Sequence, residues 1–215
     1  MNKFAVFSSK ETKTSKQNTE REDNMTTLNP TMLETLWLSV TADPNDVNRL
    51  QSWIKMSEKL LGESGGRDAL KRAAGLPDSW LAKIWITRLL LLGEGRLKDS
   101  LDLYREALRL APRKSLAVQE IAGHLGEAGH FREAIDLLLP IYAPDDHGPW
   151  AGFNLFNACE DAQDLDSAQE VLNRMRAADW PGEPASRHLK EIVRIRQNKL
   201  NILREMKNSA HAEVN

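Results

Sequence analysis

Cysteine is nearly missing from this sequence. Cys159 is the only one in 215 residues, so no disulfide forms within the chain and a reducing compartment is expected. A charge imbalance is missing too. Lys and Arg number 29 against 31 Asp and Glu, a formal net charge of −2, and bulk electrostatics draws the chain toward neither nucleic acid nor an anionic membrane. No apolar run nears the ~18 residues of a membrane-crossing helix. Phe4-Ala5-Val6-Phe7, after Lys3, falls far short of the ~7–15 apolar residues of a signal-peptide core. The expectation is a cytoplasmic protein that makes no use of a membrane. Alternating runs rich in Val, Ile and Thr are absent, which argues against strands.

Catalytic patterns are equally scarce. No glycine-rich phosphate cradle is present. Gly62-Glu63-Ser64-Gly65-Gly66 has the letters of a hydrolase elbow, but an amphipathic helical pattern precedes it where a strand is needed, so a helix end and turn is the better account. His124 and His130 are too far apart on a helix to share a ligand, and no Cys lies near them. Cys159 falls at a large inward helical position and reads as a core thiol. The expectation is therefore no enzyme, no metal and no cofactor.

What is there is helix after helix. Residues 8–24 are almost entirely polar or charged and cannot bury enough apolar surface to offset their ordering entropy, so residues 1–30 read as a disordered tail. Leu33, Leu36, Trp37 and Val40 recur at helical spacing until Asp43-Pro44-Asn45-Asp46 interrupts them, with Asp46 as the next N-cap. Leu50, Trp53, Met56, Leu60 and Leu61 form the following stripe. Ser100, Ala134 and Ala168 then lie 34 residues apart, each followed four positions later by a large residue, Tyr104, Leu138 or Leu172. Leu97, Phe131 and Leu165 precede them, and Gly95, Gly129 and Gln163 mark the turn before that. Ala69 is an earlier copy at a step of 31. A period near 34 marks stacked helix pairs that cannot bury their apolar faces alone. Pro140 falls inside the second helix of the third pair and predicts a short helix, with an ordered loop through His147-Gly148.

These residues resemble the tetratricopeptide repeat. Trp53, Met56-Ser57, Leu60 and Ala69 match the first half of its pattern; Ser100, Tyr104, Ala107 and Pro112 match the second half. Val118, Ile121-Ala122, Leu125, Ala134 and Leu138 make a further copy. The last copy is the weakest, with Leu155-Phe156 and Met175 bulky where the pattern is small. The resemblance covers about residues 47–181 and implies an all-α, right-handed α-solenoid of about four stacked helix pairs over residues 31–181. A basic amphipathic helix over 182–207, read as a cap on the array, and a short tail over 208–215 follow.

In such an array the first helix of each pair lines a concave groove. The resemblance thus nominates Lys55, Glu58, Trp85, Ile86, Leu89, Gln119, Glu120, Trp150, Phe153, Asn154 and Asn157 as partner-binding residues, with Trp85 as readily a stacking residue. Asn side chains can pair with a peptide backbone, and Trp and Phe supply anchors. Family members that grip an acidic carboxyl-terminal tail carry several Lys and Arg beside such Asn residues, and this chain has none there. A hydrophobic or basic peptide is the expected ligand. The charge pattern agrees: no Lys or Arg occurs between Arg132 and Arg174, while seven basic residues crowd 187–207. The acidic stretch is expected to receive a basic segment of a partner, of a second copy, or of this chain's own terminal helix. The implied function is protein–protein interaction as adaptor, scaffold subunit or chaperone. The competing readings are a dedicated chaperone for an exported or aggregation-prone client, RNA binding through the basic helix, and a homodimer formed through it. Nucleic acid is disfavoured because that helix lacks aromatic residues for stacking bases.

Overall fold

The computed structural model describes the backbone of residues 19–178 and 186–212, with side chains over 31–178 and 188–209. The described residues form helices only: α1 (Thr19–Ala42), α2 (Val47–Ala74), α3 (Trp80–Glu94), α4 (Leu97–Leu110), α5 (Ala117–Glu127), α6 (Phe131–Leu138), α7 (Pro144–Asp161), α8 (Leu165–Ala177) and α9 (Ser186–Ala212). The principal contacts follow chain order: α1 on α2, α2 on α3, α3 on α4 and α5, α5 on α6 and α7, α6 on α7, α7 on α8, and α8 on α9. None of the described helices is long and apolar enough to cross a membrane.

The repeat seen in the sequence is a repeat of backbone conformation. Positive φ occurs at Gly62 (80°), Gly95 (65°), Gly129 (76°) and Gln163 (56°). Each sits at the bend between two helical arms, and in the latter three the following amide reaches back to satisfy a helix-end carbonyl: Arg96 N–H donates to Leu90 O at 3.2 Å, His130 N–H to Leu125 O at 2.8 Å and Asp164 N–H to Cys159 O at 2.9 Å. Glycine adopts this conformation freely, whereas Gln163 pays on the order of 1 kcal/mol for it. The small residues that follow, Ala69, Ser100, Ala134 and Ala168, are all buried, as are Tyr104, Leu138 and Leu172. Absence of bulk at the first set is what lets paired helices approach and the second set fill the core.

Local signals explain the ends. Asp46 caps α2 by accepting from Asn48 N at 2.8 Å and Arg49 N at 3.0 Å, and Asp164 caps α8 by accepting from Ser167 N at 3.1 Å. Trp53 donates its indole N–H to Ala69 O at 3.1 Å across the two arms of α2. Trp37 brings α1 onto that surface, 5.4 Å from the Trp53 ring and with the Arg72 guanidinium 3.9 Å above its own.

Several boundaries differ from expectation. The turn expected over residues 62–66 contracts to Gly62, and Gly65 and Gly66 are helical and buried. A Cβ at Gly65 would lie 2.7 Å from Ser57 O and one at Gly66 3.0 Å from Glu58 Cβ, so these glycines permit close approach of the arms rather than a chain break. Pro140 does shorten the helix before it, which stops at Leu138. The expected loop through His147, however, is a helical turn opened by Pro144, interrupted only at Gly148 (φ 73°). Met175, bulky where the pattern is small, is accommodated by Gly152 opposite, where a Cβ would come within 2.7 Å of its sulfur. At the ends, α1 runs back to Thr19, into the stretch read as a tail, and α9 continues to Ala212 because no Gly or Pro follows Met206. Residues 1–18, 182–185 and 213–215 of the expected tails and cap lie outside the described residues.

Candidate partner-binding groove

Helices α2, α3 and α5 enclose an open groove of about 910 Å³. Its floor and walls are apolar: Val47, Ile54 and Leu70 of α2, Leu81, Trp85 and Leu89 of α3, and Leu116 beside α5. Leu89 is 40% and Leu116 50% exposed, large apolar side chains held open to solvent. Lys55, Glu58, Glu63, Arg67, Arg88 and Glu120 supply the charge. Glu63 and Arg67 pair on one arm of α2 at 3.8 Å. Arg88 grips Glu127 through both carboxylate oxygens, at 2.9 Å from one guanidinium nitrogen.

A polar chain sits at the α5 side of this groove. The Tyr104 hydroxyl, fully buried, lies 3.2 Å from His124 Nδ1, and His124 Nε2 faces Glu120 Oε2 at 3.7 Å. This arrangement suits the neutral tautomer with its proton on Nε2, Nδ1 accepting from Tyr104. Burial, reinforced by the Arg88 charge, lowers the His124 pKa to about 4. Burial raises the Glu120 carboxyl above its ordinary range, against the opposing effects of the Trp85 indole N–H and Arg88. The Tyr104 phenol is pushed upward by burial as well. The groove therefore holds a desolvated carboxylate next to a histidine that stays uncharged at neutral pH.

The residues nominated from the sequence divide. Lys55, Glu58, Trp85, Leu89 and Glu120 meet in this groove. Ile86, one position on from Trp85, turns into the core at 9% exposure. Gln119 lies outside the groove, and its backbone carbonyl accepts from Asn154 Nδ2 at 3.2 Å. Asn154 thus spends its amide tying α7 to α5, while Asn157, also on α7, is exposed. Trp150 is 54% exposed and meets the buried Phe153 edge-on with centroids 5.7 Å apart. None of these α7 residues is among those lining the groove. Ile54, Leu70, Leu81, Arg88, Leu116 and His124 line the groove without having been nominated. Only Leu116 carried a usable signal, as an apolar side chain in the polar connection Pro112–Ser115 just before α5.

The acidic stretch is met largely from within the chain. Glu160, its side chain 8% exposed, receives Arg196 at 3.2 Å and Lys199 at 2.8 Å. Arg204 reaches Asp166 at 3.1 Å and the Leu165 carbonyl at 3.2 Å. Arg132 pairs with Asp164 at 2.6 Å, Arg113 with Asp146 and Arg174 with Glu170. Leu189, Val193 and Leu200 of α9 are buried, so the terminal helix covers α8 by both charge and apolar contact. Cys159 is buried beneath, its thiol pushed up to about 12 by loss of solvation. No family model matches this sequence, and no curated protein matches it.

Proposed function

We propose that this chain is a protein–protein interaction module whose α2–α3–α5 groove holds a segment of a partner, acting as adaptor, scaffold subunit or chaperone in the cytoplasm and carrying out no reaction of its own. The architecture we infer is a right-handed α-solenoid of about four helix pairs resembling tetratricopeptide repeats, with α9 as its cap. The observation that supports this most is the open apolar groove of about 910 Å³, with Leu89 and Leu116 held outward at its mouth. Apolar side chains so exposed around a concave surface mark sites that a partner covers. RNA is the weaker reading, because Arg196, Lys199 and Arg204 already neutralise carboxylates of this chain.

The test is affinity capture from native lysate with the full chain and a Leu89→Asp/Leu116→Asp variant as paired baits. Both sites are surface positions, so the variant should unfold within about 0.5 kcal/mol of wild type per substitution. A protein recovered by the wild type and lost by the variant supports the groove. Identical recovery by both baits removes the groove from consideration.

A further inference from the structure

We propose that the groove is built for an apolar partner segment carrying one Lys or Arg, whose cationic head takes Glu120 as its counter-ion while its stem lies along Trp85, Leu89 and Leu116. This rests on the groove being the partner site and deepens that reading by naming what fills it. Charge complementarity selects the occupant. Within the groove, Glu63 is matched by Arg67, and Arg88 is committed to Glu127 outside the lining. Lys55 and Glu58 stand one turn apart on α2, carry opposite signs and sum to zero. Glu120 is left. Its histidine neighbour, 3.7 Å away, is neutral at physiological pH, Trp85 offers a dipole but no charge, and Arg88, whose charge acts on Glu120, is shared with Glu127. Counted together with Glu127, the groove carries three cations and four carboxylates, one net negative charge, and Glu120 is the carboxylate partly stripped of water.

A carboxylate in such a place is stabilised by a cation brought in from outside, because attraction between charges strengthens as water is displaced. The long stems of Lys and Arg are apolar and suit the walls around it. An acidic segment would instead set like charge against Glu120 and lose solvation on both sides. A purely apolar segment would cover Glu120 and leave it only Arg88, which Glu127 already holds.

The experiment selects a displayed library of random short peptides on the full chain, then measures one recovered peptide against three proteins: wild type, Glu120→Gln and Leu89→Asp/Leu116→Asp. Recovered peptides are expected to carry Lys or Arg within an apolar run. Glu120→Gln should weaken the chosen peptide about tenfold, the scale of a desolvated charge pair. Replacing the peptide's basic residue with norleucine should cost a similar factor on wild type and little more on Glu120→Gln, because both changes remove the same pair. Glu120→Gln keeps the shape of the side chain, and its thermal unfolding reports that the groove is intact. Peptides that depend on Leu89 and Leu116 but lack a basic residue, or ignore Glu120→Gln, overturn this inference and leave the groove reading standing. If no recovered peptide responds to the Leu89/Leu116 variant, both fall.

Discussion

The two ends of this molecule treat their charges in opposite ways. At the α7–α8–α9 end, a run of carboxylates without a local basic residue is answered by Arg196, Lys199 and Arg204 of the terminal helix, and the apolar face beneath is closed by Leu189, Val193 and Leu200. At the α2–α3–α5 end, apolar walls stay open and Glu120 is left facing only neutral groups and a distracted Arg88. The first region is self-complementary; the second, on the function proposed above, is complementary to something the described residues do not supply. Sequence charge patterning left the acidic run to receive a partner, a second copy or the chain's own terminal helix, and it receives α9. The lesson is that a charge imbalance marks an interface, and only packing tells whether the interface is internal.

The largest expected effect comes from breaking the closed end. Removing residues 186–215 uncovers the face of α8 that α9 packs on and leaves Glu160 without its cations. The truncated chain is expected to lose solubility and self-associate, read by light scattering and sedimentation. A monomer as stable as the full chain would overturn the covering role of α9. Arg196→Ala with Lys199→Ala isolates the electrostatic part. It leaves a carboxylate at 8% exposure unpaired and should cost about 1–3 kcal/mol in denaturant unfolding. The effect is smaller than for a fully buried pair because Lys199 is half exposed.

Acid should act on the open end through His124. Its folded pKa is about 4 against an ordinary 6.5, so between these values the unfolded chain binds a proton that the native state refuses. The neutral histidine's contribution is complete above pH 6.5 and is lost as pH falls toward 4, at most about 3 kcal/mol at 1.36 kcal/mol per unit. Glu120, with its raised carboxyl, works with the opposite sign just above the ordinary carboxylate range and offsets part of that loss. Denaturant midpoints measured from pH 7 to pH 4 should fall faster for wild type than for His124→Gln. Parallel curves would mean that His124 gains its proton in the folded state as easily as in the unfolded one.

The helices and their pairing were legible because they rest on strong periodic signals. Ser100, Ala134 and Ala168 sit at equivalent buried positions, and Gly62, Gly95, Gly129 and Gln163 bend the chain alike. The groove was only half legible, and α3 shows why. From Trp80 to Leu92 it is apolar on nearly every side, so no hydrophobic face declares which residues look outward. A step of one residue turns a side chain by about 100°, which separates Trp85 in the groove from Ile86 in the core. The rotation that decides between them is set by neighbouring elements: Leu81 N–H donates to Asn45 Oδ1, 36 residues away, and Lys83 Nζ to the Ala74 carbonyl at the end of α2, contacts with no signature within α3 itself. Likewise, glycines at 65 and 66 look like a chain break until the facing arm of α2 is in place.

The smallest effect sharpens the boundary between the two regions at α7. Asn154 and Asn157 are similar in sequence and were nominated together as groove residues, yet the structure gives them different work. Asn154 Nδ2 donates to the Gln119 carbonyl at 3.2 Å across the α5–α7 contact, whereas Asn157 is exposed. A net hydrogen bond of this kind contributes about 0.5–1.5 kcal/mol. Asn154→Ala should therefore lower stability by about 1 kcal/mol, and Asn157→Ala by less than about 0.5 kcal/mol. If α7 lies outside the binding surface, neither change should weaken a peptide seated on Leu89 and Leu116 beyond the effect of the stability loss. Equal stability of the two variants, with binding lost in both, would instead join α7 to the groove and dissolve the contrast between a closed end and an open one.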